Sequence, residues 1–286
     1  MNRILVTGAS GKLGRVVVEH LAQHGYDVVA TDRVAPPPGL PGSFVTADLT
    51  DFGQVVELLS GVDEGGPVDA VAHLSAIPAP GRSPNATTFR NNVPSTYNVF
   101  RAAQVAGVRN LVWASSETVL GLPFDPPPPY APVDEEYAVM PQSTYSLGKA
   151  VEEEMARHLT RWDPQLKLIG LRFSNVMRPE DYADFPAFQD DPSVRRWNMW
   201  GYIDARDGAQ AVRRALEVDL TGFEAFIIAA EDTVMETPSA DLLAAEFPDV
   251  PRRREVVGRE TLLSIDKARR LLGYAPQHRW QDHVGR

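Results

Sequence analysis

The sequence predicts an α/β fold in which helices cover both faces of a parallel β-sheet. Short apolar runs alternate with longer amphipathic stretches through residue 172, which is the strand–helix–strand order of such a sheet. A hydrophobic fraction of 43% and a charged fraction of 23% are ordinary for a globular protein. Prolines gather at residues 36–38 and 126–129, where they end the neighbouring elements and mark connecting loops.

Each predicted strand is a short apolar run, and amphipathic stretches between the runs predict helices. The first helix repeats apolar residues every four positions at Leu13, Val17 and Leu21. The second begins at an Asp51 cap, and the third ends at Gly107. The predicted strands are residues 4–7, 27–31, 44–46, 70–74, 111–115, 167–171 and 225–228, and the predicted helices are residues 13–24, 51–59, 94–106 and 143–162.

A glycine-rich turn, Thr7-Gly8-Ala9-Ser10-Gly11-Lys12-Leu13-Gly14, joins the first strand to the first helix. Glycines at this spacing allow a tight turn, a close approach of backbone N–H groups to a pyrophosphate, and close helix–strand packing. The helix N-terminus adds a favourable field for the anion. Asp32 ends the second strand, where a carboxylate can accept hydrogen bonds from the ribose hydroxyls of NAD. Arg33 beside it can pair with the 2′-phosphate of NADP. The turn predicts a Rossmann-type, doubly wound sheet that binds NAD, with NADP as the alternative.

Two further segments lie where this fold receives the same cofactor. Residues 48–49 follow the third strand and can receive the adenine amino group. Residues 74–76 end the fourth strand, at the sheet edge where open α/β sheets bind ligands. His73 beside them fits a structural role at a strand end at least as well as a catalytic one. The residues predicted to bind the cofactor are Gly8, Ser10, Gly11, Lys12, Leu13, Gly14, Asp32, Arg33, Asp48, Leu49, Leu74, Ser75 and Ala76.

Tyr145 and Lys149 are four residues apart in the fourth predicted helix and therefore share one of its faces. A free tyrosine, with a pKa of about 10, is a poor base at neutral pH. A lysine cation and an oxidised nicotinamide nearby stabilise the phenolate, which can then take the hydroxyl proton of a secondary alcohol as hydride leaves the carbon. Ser115 and Ser116 supply hydroxyls at the end of the fifth strand, and we expect Ser116 to hold the substrate oxygen.

These motifs resemble those of the extended short-chain dehydrogenase/reductase family, also called the NAD-dependent epimerase/dehydratase family. The family's Thr-Gly-x-x-Gly-x-x-Gly and Tyr-x-x-x-Lys patterns match residues 7–14 and 145–149, and its catalytic serine, five positions before Gly121, is Ser116. Residues 91–99 look like its Asn-Val-x-Gly-Thr-x-Asn segment, with Ser95 in place of the glycine. The resemblance implies catalysis by Ser116, Tyr145, Lys149 and Asn92, further cofactor contacts from Asn92, Tyr145, Lys149 and Phe173, and substrate contacts from Ser75, Ser115, Ser116, Asn175 and Arg178.

Past residue 172 the alternation weakens, which predicts a small C-terminal substrate lobe. We expect residues 1–172 to form the NAD(P)-binding Rossmann domain, with a returning strand and helix near residues 203–230. Residues 173–202 and 231–286 then form the substrate-binding lobe. Trp197 and Trp200 suit a sugar ring, although a buried tryptophan pair is the more common outcome. The arginines able to hold a substrate carboxylate or phosphate are Arg172, Arg178, Arg195 and Arg196.

The short lobe favours a small substrate. We expect an oxidoreductase that transfers hydride at a secondary alcohol of a small sugar, sugar acid or related carbonyl compound, as the family's uronate dehydrogenases do. The family's dehydratases carry an Asp-Glu pair after the catalytic hydroxyl, and Glu117 and Thr118 at these positions argue against dehydration. A sugar or nucleotide-sugar epimerase that retains its NAD is the first alternative. A non-catalytic NAD(P) sensor is the second, and it has no need for Tyr145 and Lys149.

Composition limits the partners. A net charge of −10 argues against nucleic acid, and the absence of cysteine excludes disulfides and thiolate chemistry, so we expect a small-molecule substrate and no metal. The first apolar run is too short for a signal peptide and no segment can span a bilayer, which predicts a cytoplasmic protein without a membrane partner. We also expect a homodimer through the helices starting near Pro94 and Ser143, with Phe100 and Met155 facing outward.

Overall fold

The computed structural model describes residues 2–61 and 65–284 of the 286-residue chain. All the predicted strands are present, and each bound differs from its predicted value by three residues or fewer. The described residues form strands β1 (Arg3–Thr7), β2 (Asp27–Asp32), β3 (Ser43–Thr46), β4 (Ala70–His73), β5 (Asn110–Ser116), β6 (Lys167–Phe173), β7 (Val176–Met177), β8 (Ile203–Asp204) and β9 (Gly222–Ile228).

The main sheet is parallel, with the strand order β3-β2-β1-β4-β5-β6-β9. The chain moves outward from β1 to β3, crosses to β4 on the other side of β1, and moves outward again to β9. This reversal between β1 and β4 confirms the doubly wound Rossmann-type sheet. It also leaves a crevice at the carboxyl ends of these two strands, because the following connections diverge there.

Apolar side chains cover both faces of the sheet, which explains why the strands are continuous apolar runs rather than alternating ones. In β1, Ile4 and Val6 point into one core and Leu5 into the other. Helices α1 (Lys12–Gln23) and α5 (Ala205–Glu217) pack on the first face. Helices α2 (Phe52–Ser60), α3 (Asn85–Ala106) and α4 (Thr144–Trp162) pack on the second.

The predicted start of the third helix was wrong. α3 begins at Asn85, nine residues before Pro94, and continues through that proline. Proline is usually favoured in the first turn because it lacks an N–H, and that preference suggested a start at Pro94. Here one lost hydrogen bond is outweighed by burial of the helix on the sheet. Phe100 shows this burial: it is fully buried, with its ring edge-on to Trp113, so its predicted outward orientation was also wrong.

The region past β6 is irregular, apart from β9, which pairs with β6, and α5, which packs on the main sheet. β7 pairs with β8, and 3-10 turns cover residues 179–188 and 192–198. Helices α6 (Ser239–Glu246) and α7 (Asp266–Leu272) follow. An aromatic cluster of Tyr182, Phe185, Tyr202 and Trp280 fills the core of this region. Among the described residues, no helix is both long and apolar enough to cross a membrane.

Candidate active site

A cleft of about 490 Å³ opens at the carboxyl ends of the strands on both sides of the β1–β4 reversal, and its size is typical of a small-molecule site. Most of the residues predicted from the sequence line it. They are Gly8, Gly11, Lys12, Leu13, Gly14, Asp32, Arg33, Leu74, Ser75, Ala76, Ser115, Ser116, Tyr145, Lys149, Phe173 and Asn175.

The glycine turn at one end of the cleft has no room for side chains. A Cβ at Gly8 would lie 2.7 Å from the Leu74 carbonyl carbon, and a Cβ at Gly14 would lie 2.0 Å from the Gly8 oxygen. The turn leads into α1, whose N-terminus has no side-chain cap, so its first N–H groups stay available to an anion. This turn fits the pyrophosphate of a dinucleotide.

Asp32 and Arg33 stand beside this turn. The Asp32 carboxylate accepts backbone N–H groups from Ser10 at 3.1 Å and from Arg33 at 2.7 Å. It thus joins the turn to the end of β2 and still lines the cleft. The Ser10 hydroxyl donates to the Val34 carbonyl, and Ser10 itself lies outside the cleft lining. Arg33 is exposed in the cleft, where its guanidinium is available to a ribose phosphate.

Lys149 is buried beneath Tyr145 and held by two acceptors. Its Nζ donates to the Ala114 carbonyl at 2.8 Å and to Glu152 Oε2 at 2.9 Å. Burial alone would lower the pKa of Lys149, but the Glu152 carboxylate raises it above its usual value. Burial has the opposite effect on Tyr145 and raises the pKa of its phenol, whereas the Lys149 cation acts to lower that pKa. Lys149 is therefore a permanent positive charge facing the phenol.

Ser116 completes this set. Its Oγ accepts from the Thr118 backbone N–H at 3.2 Å and from the Thr118 hydroxyl at 2.9 Å. Its own proton thus remains free to donate, and a hydrogen bond from Ser116 favours the ionised form of Tyr145. The sequence predicted that these side chains meet, and the structure brings Ser116, Tyr145 and Lys149 together in the cleft.

Ser115 also lines the cleft, but its hydroxyl is already engaged. It donates to Glu153 Oε1 at 2.6 Å, and Arg172 binds the same carboxylate with two bonds of 2.9 and 2.8 Å. All three side chains are buried. This arrangement fixes the end of β5 against α4 and leaves the paired Arg172 fork unavailable for a substrate carboxylate.

Glu117 lines the cleft, although the sequence pattern marked it only as half of a broken acid pair. Its Oε2 accepts from the Ser174 hydroxyl at 2.5 Å, and its Oε1 accepts from Asn198 Nδ2 at 3.2 Å. Burial raises the pKa of Glu117 to about 7, although these bonds and Arg195 favour the ionised form. Its partners are 57 and 81 residues away in the chain, so no local sequence signal could reveal the cluster.

Other predicted site residues lie behind the cleft or beside it. The Asn92 amide oxygen accepts from the Ile77 N–H at 2.8 Å, and its nitrogen donates to the Ile77 carbonyl at 3.0 Å, so Asn92 shapes the cleft loop after β4. The neighbouring Asn91 lines the cleft. Asp48 accepts two hydrogen bonds from Thr50. The described residues outside the cleft lining that the sequence placed in the site are Ser10, Asp48, Leu49, Asn92 and Arg178.

His73 and Trp200 are buried structural residues, whereas Trp197 belongs to the cleft. His73 is buried with its ring nitrogens bonded to Thr7 and Thr96, and burial lowers its pKa to about 3, which gives it a structural role. Trp200 is buried against Phe247, whereas Trp197 lines the cleft.

The family model of the NAD dependent epimerase/dehydratase family matches residues 4–229. The chain belongs to this family. UDP-glucose 4-epimerase 2 of Oryza sativa subsp. japonica is 30% identical over 218 residues, which are 70% of this chain and 50% of the relative. L-arabinose 1-dehydrogenase (NAD(P)(+)) of Haloferax volcanii is 28% identical over 228 residues, 77% of this chain and 84% of the relative.

The family's solved structures share the fold. UDP-glucose-4-epimerase from Stenotrophomonas maltophila, solved with bound NAD and formylated UDP-arabinopyranose, superposes with a TM-score of 0.76 at 24% identity over 99% of this chain and 96% of that one. The chain spans only half to about three-fifths of the length of the first curated epimerase relatives.

Proposed function

We propose that this family member is an NAD(P)-dependent oxidoreductase that transfers hydride at a secondary alcohol of a small sugar, sugar acid or related carbonyl compound. The observation that carries the proposal is the buried set of Ser116, Tyr145 and Lys149 in a cleft that begins at the glycine turn. The arabinose dehydrogenase relative supports a small substrate, because this chain spans most of its length. Asp32 at the end of β2 favours NAD, and Arg33 keeps NADP as the alternative.

In this mechanism the protein handles the proton. Ser116 donates a hydrogen bond to the substrate oxygen and positions it against Tyr145. The ionised Tyr145 takes the hydroxyl proton, and Lys149 stabilises the phenolate by its charge. A bound nicotinamide would supply the acceptor for the hydride that leaves the alcohol carbon, and its positive charge would favour the ionised form of Tyr145. The glycine turn, Leu74, Ser75 and Phe173 hold the cofactor in the cleft.

The test replaces the phenol. Tyr145→Phe keeps the ring that fills the site and removes the group that takes the proton, so we expect turnover to fall by about 100- to 10,000-fold. NAD+ affinity should change by less than about twofold, since the phenyl ring still packs beside the cofactor site. NADH formation with a panel of aldoses and uronates, together with NAD+ titration, measures both quantities. Retained turnover on any accepted substrate would contradict the proposal.

An epimerase remains the second candidate, because several similar curated proteins are UDP-glucose 4-epimerases. An epimerase returns the hydride to its substrate and retains its NAD. Mass spectrometry of heat-denatured protein distinguishes the two functions. Stoichiometric NAD released from the purified protein favours the epimerase, whereas cofactor-free protein that then binds added NAD+ favours the dehydrogenase.

Several finer proposals accompany this function. Residues 173–202 and 231–286 would form the substrate lobe, with Asn175 and Ser75 contacting the substrate. Asn92 would act by shaping the loop around Ile77, and Arg178 would reach the substrate from the rim. The cytoplasmic location stays a prediction of the sequence. A homodimer is supported by exposed apolar side chains on α3 and α4, namely Tyr97, Val105, Leu147 and Trp162.

A further inference from the structure

The substrate end of the cleft contains a buried acid. Glu117 follows Ser116 directly, lines the cleft, and is only 3% exposed. Ser174 and Asn198 hold its two oxygens, so the carboxylate cannot swing out to solvent. A carboxylate accepts about four hydrogen bonds, and these two together with the backbone N–H of Asn175 still leave it capacity for one more. A substrate hydroxyl bound beside Ser116 can use that capacity.

The two buried arginines nearest this place, Arg172 and Arg195, do not line the cleft. Arg172 is bound to Glu153 by both prongs of its fork. Arg195 lies behind Glu117, outside the cleft lining, and donates to the Gly201 carbonyl. Outside this place, Arg196 and Arg178 form ion pairs with Glu246 and Glu180.

Four basic residues do line the cleft within the described part of the chain. Lys12 pairs with Asp181 at 2.9 Å beside the glycine turn, and Arg33 adjoins Asp32. Lys149 is committed to Glu152 and the Ala114 carbonyl. Arg82 is solvent-exposed on the loop after β4, where water screens its charge. Among the described residues that line the cleft, the buried cation Lys149 is thus already paired, while the buried Arg195 lies outside the lining and favours the ionised form of Glu117.

Trp197 also lines the cleft and is adjacent in the chain to Asn198, whose amide binds Glu117. An aromatic face packs against the C–H face of a sugar ring, and an acid nearby accepts hydrogen bonds from its hydroxyls. Two carboxylates close together in a poorly solvated site repel each other strongly. Trp197 and the Glu117 carboxylate thus favour an uncharged sugar, and the carboxylate disfavours an anionic one.

We propose that Glu117 is a specificity-determining residue that selects a neutral polyhydroxylated substrate, such as a free aldose, over its carboxylate counterpart. The inference rests on the proposed function, because it assigns the substrate class of that same cleft. It narrows the earlier choice among sugars, sugar acids and related carbonyl compounds to the uncharged sugars.

The experiment uses two matched pairs, D-galactose with D-galacturonate and D-glucose with D-glucuronate, since each pair differs only at the terminal carbon. At pH 8, above the Glu117 pKa of about 7 and so with its carboxylate ionised, we expect the wild-type protein with NAD+ to show at least a tenfold higher kcat/KM for the aldose of a pair. Glu117→Gln keeps the length and polarity of the side chain and removes the charge. This variant should reduce the preference to about threefold or less, mainly by lowering KM for the uronate.

Glu57→Gln is the matched control, because Glu57 is exposed on α2 and lies outside the cleft. It should keep the wild-type preference. Arg82→Gln should also keep it, whereas a uronate activity that depends on Arg82 would overturn the inference. Wild-type binding, followed by tryptophan fluorescence with NAD+ present, decides the question even if Glu117→Gln does not fold.

The two proposals fail in different ways. Equal or tighter binding and faster turnover of uronates would overturn the role of Glu117 and leave the oxidoreductase intact. Absence of NADH with every aldose and uronate would contradict the oxidoreductase. In that case, selective binding of the neutral sugars would still support the substrate class assigned here, and binding of the uronates would reject it.

Discussion

The charge on Lys149 depends on a side chain that its own sequence motif does not include. Glu152 is fully buried, and its carboxylate lies 2.9 Å from Lys149 Nζ. A buried lysine without an acidic partner tends to lose its proton, so this pair keeps the ammonium charged. Lys149 is thereby excluded as a base, and its contribution to Tyr145 is electrostatic. The Tyr-x-x-x-Lys spacing predicted the contact between these two residues but not the group that fixes the charge.

Glu117 links the site to the stability of the whole chain. Burial raises the pKa of its carboxyl from 4.5 to about 7, so between these values the folded state binds a proton that the unfolded state has released. The stability from this group is complete below pH 4.5 and is lost as the pH rises through about 7. The loss is on the order of 3 kcal/mol, at 1.36 kcal/mol for each unit of pKa.

Glu117→Gln should therefore gain stability relative to the wild type as the pH rises, because glutamine does not titrate. We expect the difference in free energy of unfolding between the two proteins to shift in favour of the variant by about 2.5 kcal/mol between pH 5 and pH 8. Urea unfolding at the two pH values measures this shift, with Glu57→Gln as the control. A difference that does not change with pH would show that Glu117 is ionised at both values.

At the scale of elements, the sequence predicts what local patterns encode. The strands were found because both faces of the sheet are buried, which makes β1 or β6 a continuous apolar run. β7 and β8 contain two residues each and carry no detectable period. The start of α3 was missed because the preference of proline for first turns is local, whereas the burial that carries the helix through Pro94 is tertiary.

The same distinction applies to the site. The predicted residues that line the cleft lie at strand ends and in two short motifs, so their meeting follows from the topology of the sheet. The contacts of Glu117 with Ser174 and Asn198 depend instead on the course of the lobe. Nothing in a single sequence fixes that course, and the chemistry of the substrate end could not be predicted.

At the junction of β1 and α1, the close approach of Gly14 to Gly8 can be tested by substitution. Gly14→Ala would place a Cβ 2.0 Å from the Gly8 carbonyl oxygen and 2.8 Å from its carbon, so α1 must move away from the turn. We expect NAD+ affinity to fall at least tenfold and the free energy of unfolding to fall by about 1 to 3 kcal/mol. NAD+ titration and thermal unfolding measure these losses.

Gly148→Ala in α4 is the control for this substitution. Its Cβ would meet only Val93 Cγ2, at 3.4 Å, which is an ordinary van der Waals contact, and alanine favours helix over glycine. We expect stability to stay level or rise. Similar losses in both variants would mean that the close approach of Gly14 to Gly8 is not what the turn requires.

At the scale of the whole molecule, α3 and α4 lie side by side on one face of the sheet, and their outer surface carries four exposed large hydrophobic side chains. Tyr97, Val105, Leu147 and Trp162 are between 46% and 64% exposed, although they are large and hydrophobic. Such surfaces usually mark an interface. A second copy of the chain can cover the patch by the same two helices, since a twofold axis makes a patch complementary to itself. The homodimer therefore stays a prediction through α3 and α4, but Phe100 cannot belong to its interface because this side chain is buried within the protomer.

Val105→Arg tests this interface, and Val257→Arg in the lobe is its matched control. Val105 is 63% exposed on α3, and Val257 is 67% exposed in the lobe, so arginine fits either site in the monomer without a clash. In a dimer through α3 and α4, arginine at position 105 would place a charge in an apolar contact, which is costly unless it finds a partner. We expect Val105→Arg to weaken the dimer at least tenfold in sedimentation at micromolar concentration and Val257→Arg to leave it unchanged. A monomeric wild-type protein at that concentration, or equal weakening by both variants, would exclude this interface and leave the patch to another partner.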